Sequence, residues 1–426
     1  MFNNKEKGII GDIGLSLGSK IIAMVLFLVV DMVLVRILSF SEYNEWSYFY
    51  SITVIAYNLA RVGINSSTKV HIAETSDQKK KKTYYWSGIL LRIAISLACG
   101  LASLLLIAFS SKLGYPGKYP NLVNLIWILP MLIFFYTILD FYKEINIALI
   151  NFKNIFIFSI LEFGTCLVFT IAFNIKNASD IKVAQAYAIG YLMTVGIEIL
   201  LTYKHFGKIK IEFKKVLLCV KPIIKFAFPM YLSNLVGALL VEMDTFMLGI
   251  FSTGQTGVYA IAKSLITKAT NVNLAICVST MTQFSVIEKK DISEKKKLFK
   301  KIMLLNGVIV VGVCIGVLVL GKTVITILYG SDYTNSGNVM NYLLVYYICY
   351  ATSIFPSTFI SYQKQADKIL KYNIIMFLCN LCFNMLLIPK HGAVGAAIAS
   401  SISIIPYTFF MFRGMKQIFD AIEKKD

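Results

Sequence analysis

The stretch KFAFPMYLSNLVGALLVEMDTFMLGIFSTGQTGVYAIAKSLITK, residues 225–268, decides the fold. Two apolar runs flank a short Ser/Thr/Gly turn, the first reaching from about Pro222 to Ile250 and the second starting near Gly257. At ~1.5 Å per residue, about twenty residues of either run cross the ~30 Å hydrocarbon core of a bilayer. Neither is an ordinary span. Asp244 lies inside the first, and Lys263 and Lys268 lie inside the second. An ionised side chain at mid-helix costs roughly 2.5 to 3.5 kcal/mol on insertion scales, so such groups face a wet cavity or a partner.

Working outward, the whole chain has the same character. Of 426 residues, 57% are hydrophobic and 15% charged, against about 25% charged in a soluble domain. Apolar runs of bilayer length fall near 13–37, 44–66, 84–109, 121–142, 154–174, 181–203, 222–250, 257–284, 302–322, 337–360, 370–388 and 392–413. The expectation is an all-α polytopic membrane protein of about twelve transmembrane helices.

A net charge of +19 raises the question of nucleic acid, and its distribution answers it. With the N-terminus inside, the inward segments hold 29 lysines and arginines and the outward segments 7. That is the positive-inside pattern, with both termini cytoplasmic. The runs Lys79–Lys82 and Lys295–Lys297 read as topology signal and attraction to anionic lipid, so no nucleic-acid partner is expected. The first apolar run continues to Leu38 with no small-residue cleavage site, which makes it a retained helix.

Two six-helix lobes follow from the count, 1–203 and 222–413, joined by a cytoplasmic linker at 204–221 and followed by a tail at 414–426. In the linker Phe213, Val216, Leu217 and Val220 share one helical face, the pattern of an amphipathic helix on the leaflet surface. At an offset of 213 residues Asp31 meets Asp244, Ile37 meets Ile250 and Ser39 meets Ser252, in keeping with parallel repeats. The eight cysteines fall in or beside apolar spans, and Cys379 with Cys382 lack a second pair or nearby histidines, so neither disulfides nor metal are expected. Asp140, Glu144, Glu162 and Glu198 lie towards inner helix ends, where they read as interfacial or paired with lysines such as Lys143.

Several motifs then resemble one family. Phe226, Phe228, Pro229, Ser233, Asp244, Leu248, Gly249, Gly257, Tyr259 and Ala262 are similar to the seventh and eighth helices of polysaccharide flippases. These form the O-antigen (Wzx-like) branch of the multidrug/oligosaccharidyl-lipid/polysaccharide (MOP) exporter superfamily. Arg36-Ile37-Leu38-Ser39 with Tyr43 resembles the signature after its first helix, with Asn44 where glycine is usual. Leu328-Tyr329-Gly330 with Tyr333 resembles the motif before the tenth. Leu387-Ile388-Pro389 with Gly392-Ala393-Val394-Gly395-Ala396-Ala397-Ile398-Ala399 closely matches the run opening the twelfth.

The resemblance implies two lobes around a central cavity. It also implies translocation of a polyprenyl-pyrophosphate-linked oligosaccharide from the cytoplasmic to the outer leaflet of the cell membrane by alternating access. A pyrophosphate headgroup calls for cations. Lys20, Arg61 and Arg92 lie in the inner third, Lys268 near the midplane and Lys263 in the outer third, although Arg92 is also placed to snorkel to the surface. Lys263 and Lys268 are ~140° apart around their helix, so at most one faces substrate. Asp31 and Asp244, at equivalent depths, are candidate gating or coupling acids, with Lys263 the expected ion-pair partner of Asp244. No cofactor is expected, and coupling to protons or sodium is left open. Partners are the lipid-linked oligosaccharide and membrane lipids, with room for a polysaccharide polymerase and chain-length regulator.

Three alternatives stand beside this. A multidrug antiporter shares the lobes but favours acidic cavities. A lipid II flippase is closer in chemistry, yet that branch generally carries two further C-terminal helices. A membrane-embedded polymerase or ligase is an enzyme needing a large outward loop, and Ser110–Pro120 and Ile175–Lys182 are short.

Overall fold

The computed structural model describes residues 4–112, 119–206, 213–251, 254–286, 292–363 and 365–423. Among them every regular element is a helix: α1 (Asn4–Ile37), α2 (Phe40–Arg61), α3 (Ile64–Glu74), α4 (Gln78–Lys112), α5 (Leu122–Ala148), α6 (Phe152–Asn174), α7 (Asp180–Phe206), α8 (Phe213–Phe251), α9 (Thr256–Val286), α10 (Ile292–Tyr329), a 3-10 turn (Ser331–Tyr333), α11 (Asn335–Tyr362) and α12 (Ala366–Glu423). Seven described helices, α4 to α7 and α10 to α12, are long and apolar enough to cross a membrane. The 58 residues of α12 run ~87 Å at ~1.5 Å each, enough to cross twice. With α1, α2, α8 and α9 the helices account for twelve spans, and the protein is a multi-pass membrane protein.

Local chemistry sets the helix ends. Ser39 caps α2 in a reciprocal box with Glu42: the Ser39 N–H donates to Glu42 Oε2 at 3.0 Å and the Glu42 N–H donates to Ser39 Oγ at 3.3 Å. Asn44, where the resemblance leads one to expect glycine, sits in regular helix and donates from Nδ2 to the Phe40 carbonyl at 2.7 Å. The second span stops short of its apolar run. Val62 (φ 46°) and Gly63 (φ 70°) turn left-handed after Arg61, and α3 begins where a loop is expected. A Cβ at Gly63 would strike the Ala227 carbonyl.

The last two expected spans are two helical arms that meet without a loop at Gly392, whose backbone is non-helical (φ 53°, ψ −130°). Gln255 fills the space a Cβ would take there, and its Oε1 accepts the Ala393 N–H at 2.7 Å. Gly395 likewise lies against the Leu387 carbonyl, so the Gly/Ala run is a close-packed reversal.

Two compact units result, Met1–Leu235 and Val236–Asp426, and their boundary falls inside α8 rather than in the expected linker. The first turns of α8, expected as a separate surface helix, are tied into unit 1. Ser87 Oγ donates to the Val216 carbonyl and Ser67 Oγ to the Ile223 carbonyl, both at 2.8 Å. Residues 207–212 of that linker, 252–253 of the turn after α8, and 113–118 of an outward loop lie outside the described residues. Unit 1 packs around Phe49, Leu125, Phe141 and Phe158, and unit 2 around Phe355, Phe359, Ile404 and Met411.

Candidate substrate and coupling sites

In unit 2 the polar interior is built on Asp244 of α8, which is 3% exposed. Its carboxylate accepts from Tyr259 Oη of α9 at 2.5 Å, Ser400 Oγ at 2.5 Å, Asn384 Nδ2 at 2.7 Å and Asn380 Nδ2 at 2.9 Å. The two asparagines stand one turn apart on the first arm of α12, and Asn384 Nδ2 also donates to Asn380 Oδ1 at 3.0 Å. Ser400 comes from the second arm. Four neutral donors fill the roughly four acceptor sites of a carboxylate, which offsets the several kcal/mol of burying it.

The expected Lys263–Asp244 ion pair is therefore absent. Equal depth placed the two residues near each other, but the acceptor sites are taken by α9 and α12. Lys263, one turn beyond Tyr259, has a buried Nζ with no hydrogen-bond partner among the described residues, 5.7 Å from the centroid of the Tyr259 ring. Glu242, which the apolar-run reading passed over, lies within electrostatic reach of both Lys263 and Asp244. Asp244, Tyr259, Lys263, Thr270, Tyr346 and Asn380 are among the residues lining a cavity of about 110 Å³. Lys268 is not among its lining residues and turns its Nζ to Ser264 Oγ.

Unit 1 arranges its charges differently. Arg61 makes a two-bonded pair with Asp140 of α5, Nε to Oδ2 and Nη2 to Oδ1, both at 3.1 Å, and Asn65 Nδ2 holds the same acid at 2.6 Å. Arg61 and Asn58 border a narrow recess within the unit. Arg92 neither lines a cavity nor snorkels: its side chain is fully buried. Its Nη2 and Nη1 donate to the Ala60 and Arg61 carbonyls at 2.5 and 3.0 Å, and its Nε to Ser96 Oγ at 3.1 Å. These are the last carbonyls of α2, left without intrahelical donors by the left-handed turn, so Arg92 caps that helix. Asp31 accepts from Tyr43 Oη at 2.8 Å, and Lys20 is exposed on α1. Of the inner acids, Glu162 meets Lys143 at 3.9 Å, Glu144 meets Lys69 at 2.6 Å, and Glu198 accepts from Asn146 Nδ2 at 2.9 Å.

A family model described as "Polysaccharide biosynthesis protein" matches residues 33–338. The chain is 25% identical over 169 residues to "Probable flippase AglR" of Haloferax volcanii, covering 38% of this chain and 35% of that one. It is 30% identical over 130 residues to "Capsular polysaccharide biosynthesis protein CapF" of Staphylococcus aureus, covering 28% of this chain and 32% of that one. Each match spans about a third of the curated relative. Among solved structures, "Lipid II flippase MurJ, inward closed conformation" superposes with a TM-score of 0.75 at 16% identity, over 96% of this chain and 90% of that one, a likeness of fold.

Proposed function

The chain belongs to the polysaccharide biosynthesis protein family, and from that premise we propose that it is a flippase. Its substrate is a polyprenyl-pyrophosphate-linked oligosaccharide, carried from the cytoplasmic to the outer leaflet of the cell membrane by alternating access. The observation that carries the reading is the Lys263 amine, buried on the unit 2 cavity with no hydrogen-bond partner while the neighbouring acid is satisfied by neutral groups. A pyrophosphate oxygen reaching it forms a charge-assisted bond without displacing a hydrogen bond described within the protein. The same arrangement disfavours an organic cation, because Asp244 already has its donors. Lys20 and Lys268 serve the entry path. The 29 to 7 distribution of basic residues supports cytoplasmic termini.

Coupling is assigned to Asp244. Its donors join α8, α9 and both arms of α12, so a proton or sodium ion taken by the carboxylate would release hydroxyl and amide groups on three segments at once. Turned over, the two asparagine amides would present oxygens to a hard cation.

The test is translocation of a lipid-linked oligosaccharide by purified protein in vesicles. Losing one partner of a buried charge pair typically costs about 2–5 kcal/mol, so Lys263→Ala is expected to lower the rate by about thirty-fold or more. Because the amine makes no hydrogen bond among the described residues, the melting temperature is expected to change little. Wild-type transport by Lys263→Ala would remove this lysine from the mechanism.

A further inference from the structure

Unit 1 holds a second built surface, lined by aromatic rings and ending in an ion pair. On α2, Trp46, Tyr50, Tyr57 and Arg61 lie on one face, because gaps of four, seven and four residues match the helical repeat over ~22 Å. Facing helices add pairs one turn apart, Tyr136 and Asp140 from α5 and Tyr187 and Tyr191 from α7. The rings meet in series: Trp46 to Tyr187 at 5.0 Å between centroids, Tyr187 to Tyr191 at 5.9 Å, Tyr191 to Tyr136 at 5.3 Å and Tyr136 to Tyr57 at 4.1 Å. Tyr50, Tyr57 and Tyr136 are half-buried. Tyr57 and Tyr136 reach Arg61 electrostatically, and the series ends there, at the Arg61–Asp140 pair.

A buried tyrosine ordinarily places its hydroxyl on a partner, and Tyr43, Tyr259 and Tyr347 do so. Tyr187 and Tyr191, each 4% exposed, and half-buried Tyr136 do not: among the described residues none of the three hydroxyls makes a hydrogen bond. Packing alone would be served as well by phenylalanine, of which the chain has 30.

We propose that this face binds the sugar part of the substrate, as pyranose rings; the proposal rests on the flippase reading above. The C–H face of a pyranose is weakly positive and lies well on the electron-rich face of an aromatic ring. Sugar hydroxyls and acetamido groups both donate and accept, which suits tyrosine hydroxyls that lack partners. The Arg61–Asp140 pair sets donors beside acceptors in one plane, a match for neighbouring sugar hydroxyls. A phosphate would meet the Asp140 carboxylate, so this face of unit 1 favours glycan over headgroup.

The experiment measures binding by the full-length protein in nanodiscs to two probes, undecaprenyl pyrophosphate and undecaprenyl pyrophosphate carrying a disaccharide of N-acetylhexosamines. The glycosylated lipid is expected to bind about ten-fold tighter or better. Tyr57→Leu and Tyr136→Leu should bring that ratio to about one, and Tyr136→Phe/Tyr191→Phe, which removes only hydroxyls without partners, should lower it about three-fold. Lys263→Ala should weaken both lipids by the same factor and leave the ratio in place. A wild-type ratio near one overturns the sugar face while sparing the phosphate reading. So does an unchanged ratio in the double phenylalanine variant, even where a leucine variant fails to fold. Wild-type protein that binds neither lipid overturns the flippase reading and this one with it.

Discussion

Unit 1 and unit 2 each carry an acid and a base in their polar interior, and they satisfy them in opposite ways. In unit 1 Arg61 and Asp140 satisfy each other, while three tyrosine hydroxyls lack partners. In unit 2 Asp244 is satisfied by hydroxyls and amides, while the Lys263 amine lacks a hydrogen-bond partner. At these two places the groups that make no hydrogen bond among the described residues are neutral in unit 1 and cationic in unit 2. On the proposed readings, their chemistry, rather than the formal charge of each unit, sets what each would receive: pyranose hydroxyls in unit 1 and phosphate in unit 2.

The largest expected effect that would break this comparison is at Asp244. An asparagine there keeps one oxygen for four converging donors and turns its own N–H groups towards the others, leaving about two buried donors unmatched. At roughly 1–3 kcal/mol for each unsatisfied group, Asp244→Asn should destabilise the protein by about 3 kcal/mol and slow transport more than about ten-fold. Thermal melting in detergent and vesicle translocation read the two effects. A variant that melts and transports as wild type would mean the four bonds organise nothing, and unit 2 would lose its claim to the coupling site.

A smaller effect sharpens the other half. Arg61 and Asp140 keep side-chain exposures of 31% and 13%, so their coupling should fall below the 3–5 kcal/mol lost when a fully buried pair is broken. A double-mutant cycle of Arg61→Ala and Asp140→Ala should give about 1–2 kcal/mol. Asp140→Ala alone leaves unit 1 with an unpaired cation, as unit 2 has. If the pair is what keeps phosphate from unit 1, that variant should bind sugar-free undecaprenyl pyrophosphate about three-fold more tightly, roughly 0.7 kcal/mol. Unaltered affinity would show that something other than the pair sets the division.

Much of this was legible from the chain. Apolar runs gave the spans, because the bilayer thickness fixes their length, and charges inside those runs marked Asp31, Arg61, Asp244 and Lys263. Pairing was not legible. Asn380, Asn384 and Ser400 reach Asp244 from 136, 140 and 156 residues away, and helical periodicity reports which face a residue occupies, not which helix lies opposite. A signal did exist in the two asparagines one turn apart in an apolar helix. Arg92 was misread for a related reason: its role follows from where α2 stops, and the apolar run continued past the Val62–Gly63 turn that stops it. The tyrosine face of α2 was open to inspection, since one-turn spacing is visible, but only the missing hydroxyl partners separate it from ordinary packing.

The smallest effect concerns Asp31, which the 213-residue offset pairs with Asp244. Both acids lie on the first spanning helix of their set of six, and both accept from a tyrosine near the start of the next helix, Tyr43 in one case and Tyr259 in the other. The resemblance invites equal roles. The Tyr43 bond argues against them: at 2.8 Å and only partly buried, it can be kept by an asparagine oxygen, so that Asp31→Asn keeps this contact without its charge assistance, whereas Asp244→Asn disturbs four buried bonds. The expected cost is about 0.5–1 kcal/mol, some three-fold or more below that of Asp244→Asn, with transport reduced less than about five-fold. Tyr43→Phe, which removes the donor, should cost about as much, since α2 keeps its Ser39–Glu42 cap. Melting curves and translocation under imposed sodium and pH gradients compare the two acids directly. Equal losses for Asp31→Asn and Asp244→Asn, with the same shift in gradient dependence, would make them symmetric coupling groups and end the contrast between the units.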